Sequence, residues 1–423
     1  MLQQTTILKV TTALAMFSGL LTVLATASPV TVAIAQEPAE SAAATATSSK
    51  FYTDVTATHL PAGVTDNLSM DARPADVDAD GDLDIIIANE HRANILLLND
   101  GSGRFSDASA ARLPRGEHDS EDIGIADFDG DGDVDIVVVS EDDQTNELYL
   151  NDGKGFFSDA AERLPVTGTS NAVLVMDLTG NGHVDILIGN NGQNVLLENR
   201  GEARFIDVTA ERLPSFEDVT QDVVAGDVNG DGHVDLLFGN EDANRLLLND
   251  GDGVFRLAEN ALPMRDGAEE TREADLGDID GDGDLDILFA NVQAFVDDAD
   301  AQNRLLRNNG KGRFEDITAS HLPPDQDRSF DGSFLDLDGD GDLDIITCNA
   351  NRGSDSWITI SPFRAYRNDG SGSFTDTTSE LLPASATGRG FDVQQADFNG
   401  DELPDLYLSN RDGSDRLLLR RPR

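Results

Sequence analysis

IGIADFDGDGDVDIVVVSEDDQTNELYLNDGKGFFSDA, residues 123–160, decides the fold of this chain. It reads as an apolar run (IGIA), an acidic nonapeptide (DFDGDGDVD), two further apolar runs (IVVVS and NELYL), the turn NDGKG and a Phe-led run, FFSDA. Short β-branched and aliphatic runs bounded by Gly, Asp and Asn mark strands joined by tight turns. Four in succession describe one small antiparallel sheet.

The same unit recurs along the chain. Its nonapeptides begin at Asp76, Asp127, Asp177, Asp227, Asp278, Asp336 and Asp397, at separations of 51, 50, 50, 51, 58 and 61 residues. Periods of this length belong to solenoids and propellers. Four strands per unit and seven units predict an all-β, seven-bladed β-propeller over residues 51–423. The last unit stops after its third strand, RLLL (416–419), while Tyr52-Thr53-Asp54-Val55-Thr56 matches Phe205-Ile206-Asp207-Val208-Thr209 and Phe314-Glu315-Asp316-Ile317-Thr318. The N-terminal strand is therefore expected to complete the last blade and close the ring, whereas a solenoid would need a cap at each end. No segment after residue 51 carries a helical period long enough to compete with strands.

The nonapeptides carry the strongest chemistry. Oxygen side chains at positions 1, 3, 5 and 9, a backbone carbonyl at 7 and Gly at 6 form the hard-oxygen shell and sharp bend that calcium takes. The candidate ligands are Asp76, Asp78, Asp80, Asp82 and Asp84; Asp127, Asp129, Asp131, Asp133 and Asp135; Asp177, Thr179, Asn181, His183 and Asp185. The later loops offer Asp227, Asn229, Asp231, His233 and Asp235; Asp278, Asp280, Asp282, Asp284 and Asp286; Asp336, Asp338, Asp340, Asp342 and Asp344; and Asp397, Asn399, Asp401 and Asp405. Six or seven calcium ions, one per blade, are expected. An EF-hand would need Glu at position 12, but that position holds Ile87, Val138, Ile188, Phe238, Phe289, Thr347 and Leu408. One such loop also reads as a solvated turn; seven at fixed spacing favour metal. The third loop has two carboxylates and should bind most weakly, and the seventh replaces Gly with Glu402 and carries Pro404, which puts its occupancy in question.

The loop followed by an apolar strand, then N-x-L-L-x-N-x-G-x-G-x-F as in NILLLNDGSGRF (94–105) and NRLLRNNGKGRF (303–314), resembles the FG-GAP or VCBS repeat proteins. The likeness extends to the propellers of integrin α subunits and to secreted acidic propellers of the cartilage acidic protein type, and covers residues 51–423. It implies calcium in the loop between a blade's first two strands and leaves the ligand open, since such propellers serve adhesion, glycan binding and occasionally lyase or dehydratase chemistry.

Strand alternation puts the acidic loops at one end of the ring and the inter-blade connectors at the other. Insertions at Val292–Gln302 and Arg352–Pro362 fall at the connector end and carry Phe295 and Trp357, which either meet a ligand or pack on neighbouring loops. Five residues before each nonapeptide stands Asp71, Asp122, Ala172, Asp222, Glu273, Asp331 or Asp392. These acids either bind a cation or sugar at the channel mouth or satisfy backbone donors. His183 and His233 sit at loop position 7, and His59 and His321 fill a slot held elsewhere by Arg112, Arg163 and Arg212, leaving His91 and His118 on the binding end. No nucleophile elbow, metalloprotease helix or phosphate loop occurs, so the reading is a binding or adhesion module for a cell-surface glycan or protein rather than an enzyme. The alternative, a calcium-dependent polysaccharide lyase or dehydratase, would recruit His91 or His118.

A formal charge of −50, from 80 acidic and 30 basic residues, argues against nucleic acid and anionic membrane as partners. Lys9, the apolar stretch Val10–Ala27 and Ala33-Ile34-Ala35 before Gln36 read as a signal peptide over 1–35, with an uncleaved anchor as the rival. Secretion, or release to the periplasm or cell surface, follows from cleavage. Residues 36–50 read as a flexible linker, and Cys348, the only cysteine, as a buried small hydrophobe.

Overall fold

The computed structural model describes residues 48–62, 67–265, 267–351 and 358–422. The signal-peptide reading, most of the linker and Trp357 lie outside the described residues.

Each nonapeptide joins the first two strands of an antiparallel meander. In the second repeat the strands are His118–Ala126, Asp135–Ser140, Glu147–Asn151 and Phe157–Asp159, paired in that order. The other repeats follow the same plan. In the last, Gly390–Ala396, Asp405–Gly413 and Arg416–Arg420 are followed in space by Tyr52–Asp54, which pairs Tyr52 with Arg420, Thr53 with Leu419 and Asp54 with Leu418.

Second strands such as Asp135–Ser140 and Asp286–Asn291 are buried at every residue. Both faces are covered, which is why they read as continuous apolar runs instead of alternating ones. Ile86 and Ala88 of the first repeat share a core with Ile123, Ile136, Val138 and Tyr149 of the second. Phe398, Tyr407 and Leu417 of the last repeat pack in the same manner on Ile85, Ile87 and Leu97 of the first. Each such side chain contributes about 1.5–3 kcal/mol by leaving water.

The Asn that ends the third strand latches most repeats to the previous one. Asn151 Nδ2 donates to the carbonyl of Val77 at 2.8 Å, Asn199 to Phe128, Asn308 to Val228 and Asn368 to Ile279. Asn99 reaches Phe398 of the last repeat at 2.8 Å, and Arg420, standing in the Asn slot, donates to Leu337. Val77, Phe128, Val228, Ile279, Leu337 and Phe398 all occupy loop position 2, with their side chains buried.

Single helical turns follow the short fourth strands at Ser109–Arg112, Thr209–Arg212, Thr318–His321 and Thr378–Leu381, and a preceding one spans Thr56–His59. They are shorter than any sequence period could announce. The Asp of Phe-x-Asp starts them, as where Asp207 Oδ1 accepts the Thr209 N–H at 2.9 Å. His59 and His321 end two of these turns, with Nδ1 2.8 and 2.7 Å from the hydroxyls of Thr58 and Ser320.

Candidate functional site

The acidic loops are organised by their own backbone. In the second, Asp127 accepts the N–H groups of Gly130 and Gly132 at 2.8 and 3.0 Å, and Asp129 and Asp131 accept those of Asp131 and Asp133. Asp135, at position 9, is buried and accepts the N–H of Phe128 at 3.0 Å and of Asn151 at 2.9 Å, tying the loop to the third strand. Asp84, Asp185, Asp235, Asp286, Asp344 and Asp405 make the same pair of bonds in their repeats. Burial pushes the carboxyls of Asp84, Asp135, Asp235 and Asp286 up to about 6 and those of Asp344 and Asp405 to about 7, against backbone donors that hold them down.

These residues fit a hard cation. Oxygens of Asp76, Asp78 and Asp84, of Asp127, Asp129 and Asp131, and of Asp278, Asp280 and Asp282 gather within 4.8 Å of one another. Asp78 Oδ1, Asp280 Oδ1 and Thr179 Oγ1 are buried without a hydrogen-bond partner, and all three stand at loop position 3. A buried oxygen without a donor costs roughly 1–3 kcal/mol, which a bound cation would relieve. In the third loop Asn181 Nδ2 donates to Glu198 Oε1 at 3.1 Å and to the Asn199 carbonyl at 3.0 Å, while its oxygen accepts the His183 N–H at 2.8 Å. Glu198 is a buried acid that the sequence reading missed, in a slot held by Leu98 and Leu150 in sister strands. His183 and His233 lie against Gly201 and Gly251, where Asp82 and Asp133 lie against Gly101 and Gly153 in the first two repeats. The seventh loop keeps the bond pattern, because Glu402 adopts φ 65° and donates to Asp397 Oδ2 at 2.8 Å as the glycines do.

The acids five residues before the loops bridge neighbouring repeats. Asp71 Oδ2 accepts the Ile123 N–H at 3.1 Å, Asp122 that of Val173 at 2.7 Å and Asp222 that of Ala274 at 3.0 Å. Asp331 accepts from Val393 at 2.6 Å, and Asp392 from Ala72 at 3.1 Å, which joins the last repeat to the first. The donor is in each case the residue just after the matching position of the next repeat. Ala172 has no carboxylate to offer, and Asp275 rather than Glu273 takes the Phe334 N–H at 2.7 Å. Burial pushes Asp222 up to about 7 and drives Asp71, Glu273 and Asp331 well above the ordinary carboxylate range, with neighbouring carboxylates adding to it. Arg73 sits among them, 3.2 Å from Asp71 and 3.1 Å from Asp122.

One residue earlier, strand pairing slips in every repeat, as between Ser69 and Asp71 or Ser120 and Asp122. The residue skipped is Met70, Glu121, Asn171, Gln221, Arg272, Phe330 or Phe391. A bulge re-aims a side chain, and all seven line a cavity of about 810 Å³ together with the bridging acids. Eleven carboxyl groups and three guanidinium groups line this cavity. One wall is aromatic: the Phe330 and Phe391 rings stack at 4.3 Å, and Arg272 lies 4.8 Å from the Phe295 ring, which is 64% exposed. Arg272 also bonds Glu241 at 2.8 Å and Glu270 at 2.9 Å, and Arg411 pairs with Glu90. The skipped positions escaped the sequence reading because their orientation depends on slipped pairing rather than on residue type.

Both remaining histidines are held by carboxylates. His91 Nδ1 lies 3.1 Å from Asp119 Oδ1, and His118 Nδ1 lies 2.6 Å from Asp143 Oδ2 with Nε2 3.9 Å from Glu147. His91 is exposed, whereas His118 is flanked by carboxylates at both ring nitrogens.

A family model described as FG-GAP-like repeat matches residues 76–138, 127–188, 177–238, 227–289, 278–347 and 351–408. Cartilage acidic protein 1 of Homo sapiens is 27% identical over 405 residues, covering 85% of this chain and 59% of the relative. That of Xenopus tropicalis is 27% identical over 409 residues, covering 86% and 61%. The chain thus spans about three fifths of the length of these curated relatives. A solved structure of BBS1N in complex with ARL6DN overlaps 85% of this chain and 94% of its own with a TM-score of 0.51 at 11% identity, a likeness of fold alone. Among the described residues no helix is long and apolar enough to cross a membrane.

Proposed function

The chain belongs to the FG-GAP-like repeat family, and from that premise we propose that it is a calcium-clamped, exported β-propeller of seven blades that binds a cell-surface glycan or protein at the end away from its acidic loops. Closure of the ring is supported by three contacts between last and first repeats: the Tyr52–Arg420 strand pair, the Asn99–Phe398 latch and the Asp392–Ala72 bridge. Calcium would be held by the loop oxygens named above, where it neutralises clustered carboxylates and fixes the first hairpin of each blade. Residues at positions 1, 3, 5 and 9 would hold it.

The observation that carries the binding role is a contrast between two adjacent positions within one chain. Residues that hold the repeats together recur in nearly every copy: the bridging position is acidic in six of seven. The position beside it lines the same cavity and changes at almost every copy, from Met70 through Glu121 and Arg272 to Phe391. A position that the fold does not standardise is free to serve a ligand. A glycan array run with calcium and again with chelator tests this: retention that chelation abolishes is expected, and failure to retain any glycan or cell-surface extract would refute it. Release of unsaturated products from acidic polysaccharides would replace binding by lyase chemistry.

A further inference from the structure

Within this cavity the charges are unevenly paired. Glu90 is neutralised by Arg411 and Glu241 by Arg272. Among the described residues, neither Glu121 nor Glu141 has an ion-pair partner or a side-chain hydrogen bond. Glu121 is turned into the cavity by its bulge and faces the like charges of Glu141, Asp119 and Glu90. Burial first, then those neighbours, hold its carboxyl well above the ordinary range, a cost that a positive charge placed beside it would remove. The opposite character lines the same cavity, where Phe391, stacked on the buried Phe330, and the exposed Phe295 supply apolar surface.

Resting on the binding role proposed above, we propose that this cavity binds a primary ammonium group carried on a carbon or sugar body, with the ammonium at Glu121 and Glu141 and the body against Phe391, which the buried Phe330 backs. A bare metal ion would satisfy the carboxylates but has no use for the aromatic wall. A neutral sugar would use the wall but leave the unpaired carboxyls without the positive partner that would let them ionise. An organic amine meets both, because charge and apolar surface are then recognised by separate residues of one site.

The test is calorimetric titration of the full chain in millimolar calcium, which keeps the acidic loops supplied. The probes are a glucosamine trisaccharide, its N-acetylated counterpart, spermidine, and an uncharged diol of similar length. Binding of either amine, with the uncharged counterpart at least about tenfold weaker, is expected, since a charge-assisted hydrogen bond contributes roughly 1.5–3 kcal/mol. The arm that binds identifies an amino sugar or a free polyamine as the source. Glu121→Gln should weaken binding about tenfold and Phe391→Leu less, with unfolding curves checking that both variants remain folded. Equal binding of the acetylated and free sugars, no binding of either amine, or unchanged affinity in Glu121→Gln overturns the inference. Magnesium saturating the site and excluding the amine overturns it too. Glycan retention indifferent to Glu121→Gln would sink this assignment while leaving the binding module standing; loss of all retention would sink the module.

Discussion

Replacing Asn151 by Ala should destabilise the protein by about 3 kcal/mol. The side chain is 6% exposed and makes four bonds: Nδ2 donates to Val77 at 2.8 Å and Val134 at 3.1 Å, and Oδ1 accepts from Gly153 at 3.2 Å and Gly155 at 3.0 Å. Alanine leaves two carbonyls and two N–H groups without these partners. Each costs about 1 kcal/mol, and water at the turn recovers part of the total. Asn249 supplies an internal control, because its bonds stay within its own repeat: Nδ2 to Val234 at 3.3 Å, Oδ1 from Gly251 at 3.0 Å and from Gly253 at 3.1 Å. Its replacement by Ala should therefore cost about 1 kcal/mol less, the worth of one crossing bond. Urea unfolding of both variants in calcium, compared by midpoint and slope, measures the difference. An Asn249→Ala variant as damaged as Asn151→Ala would refute the latch, since the cost would then belong to the turn alone.

Chelation of calcium should lower the unfolding midpoint, because each site contributes about 1.4 kcal/mol when calcium stands at ten times its dissociation constant; an unchanged melt with EDTA would show the loops to be metal-free turns. Glu402→Gly should stabilise by about 1 kcal/mol, since a non-glycine residue at φ 65° carries strain that Gly relieves; a neutral or destabilising outcome in urea would mean that Glu402 earns its place by another contact. Burial pushes Asp222 up to about 7 in the fold, above the ordinary carboxylate value of about 4, so the folded chain holds an extra proton between these values. Its contribution to stability is fully present below about 4 and is lost as pH rises from there through about 7, and Asp222→Asn should flatten the stability profile across that window while keeping an oxygen for the Ala274 N–H; an unaltered profile would place the titration elsewhere.

Much of this architecture was legible because its causes are local. DFDGDGDVD announces its own turn, and IVVVS between Gly and Asn announces a strand buried on both sides. The match of Tyr52–Thr56 to fourth-strand sequences named the partner of the last repeat without any coordinates. What stayed hidden depends on which strand lies next. The Asn at the end of each third strand was visible as a repeat feature, but its bond to the neighbouring loop joins residues 74 positions apart for Asn151 and 299 for Asn99. Glu198 looked like an ordinary strand residue until the orientation of Asn181 exposed its use. The skipped position needed most: period-two alternation sends Glu121 and Asp122 to opposite faces, and only the slipped pairing with the second strand brings both into one cavity.

Carboxylates therefore do three different jobs here, separated by position along a single strand and its loop. In the loop they converge on one another, with position-3 oxygens left without donors, a cost that the cation proposed above would relieve. Five residues earlier they accept a neighbour's N–H, and burial pushes Asp222 up to about 7, so the same residue type becomes a strut between repeats. One residue earlier again, the recurring acid disappears and a single Glu121 remains, facing like charges, with the nearby Arg411 already paired to Glu90. A carboxyl that neither metal loop nor backbone donor claims is the feature most directly explained by a partner from outside the chain. Much of the acidic excess that looked uniform in the composition thus divides into inter-repeat bonding, the metal ligation proposed for the loops and the recognition proposed for the cavity, and only the last of these differs from one repeat to the next.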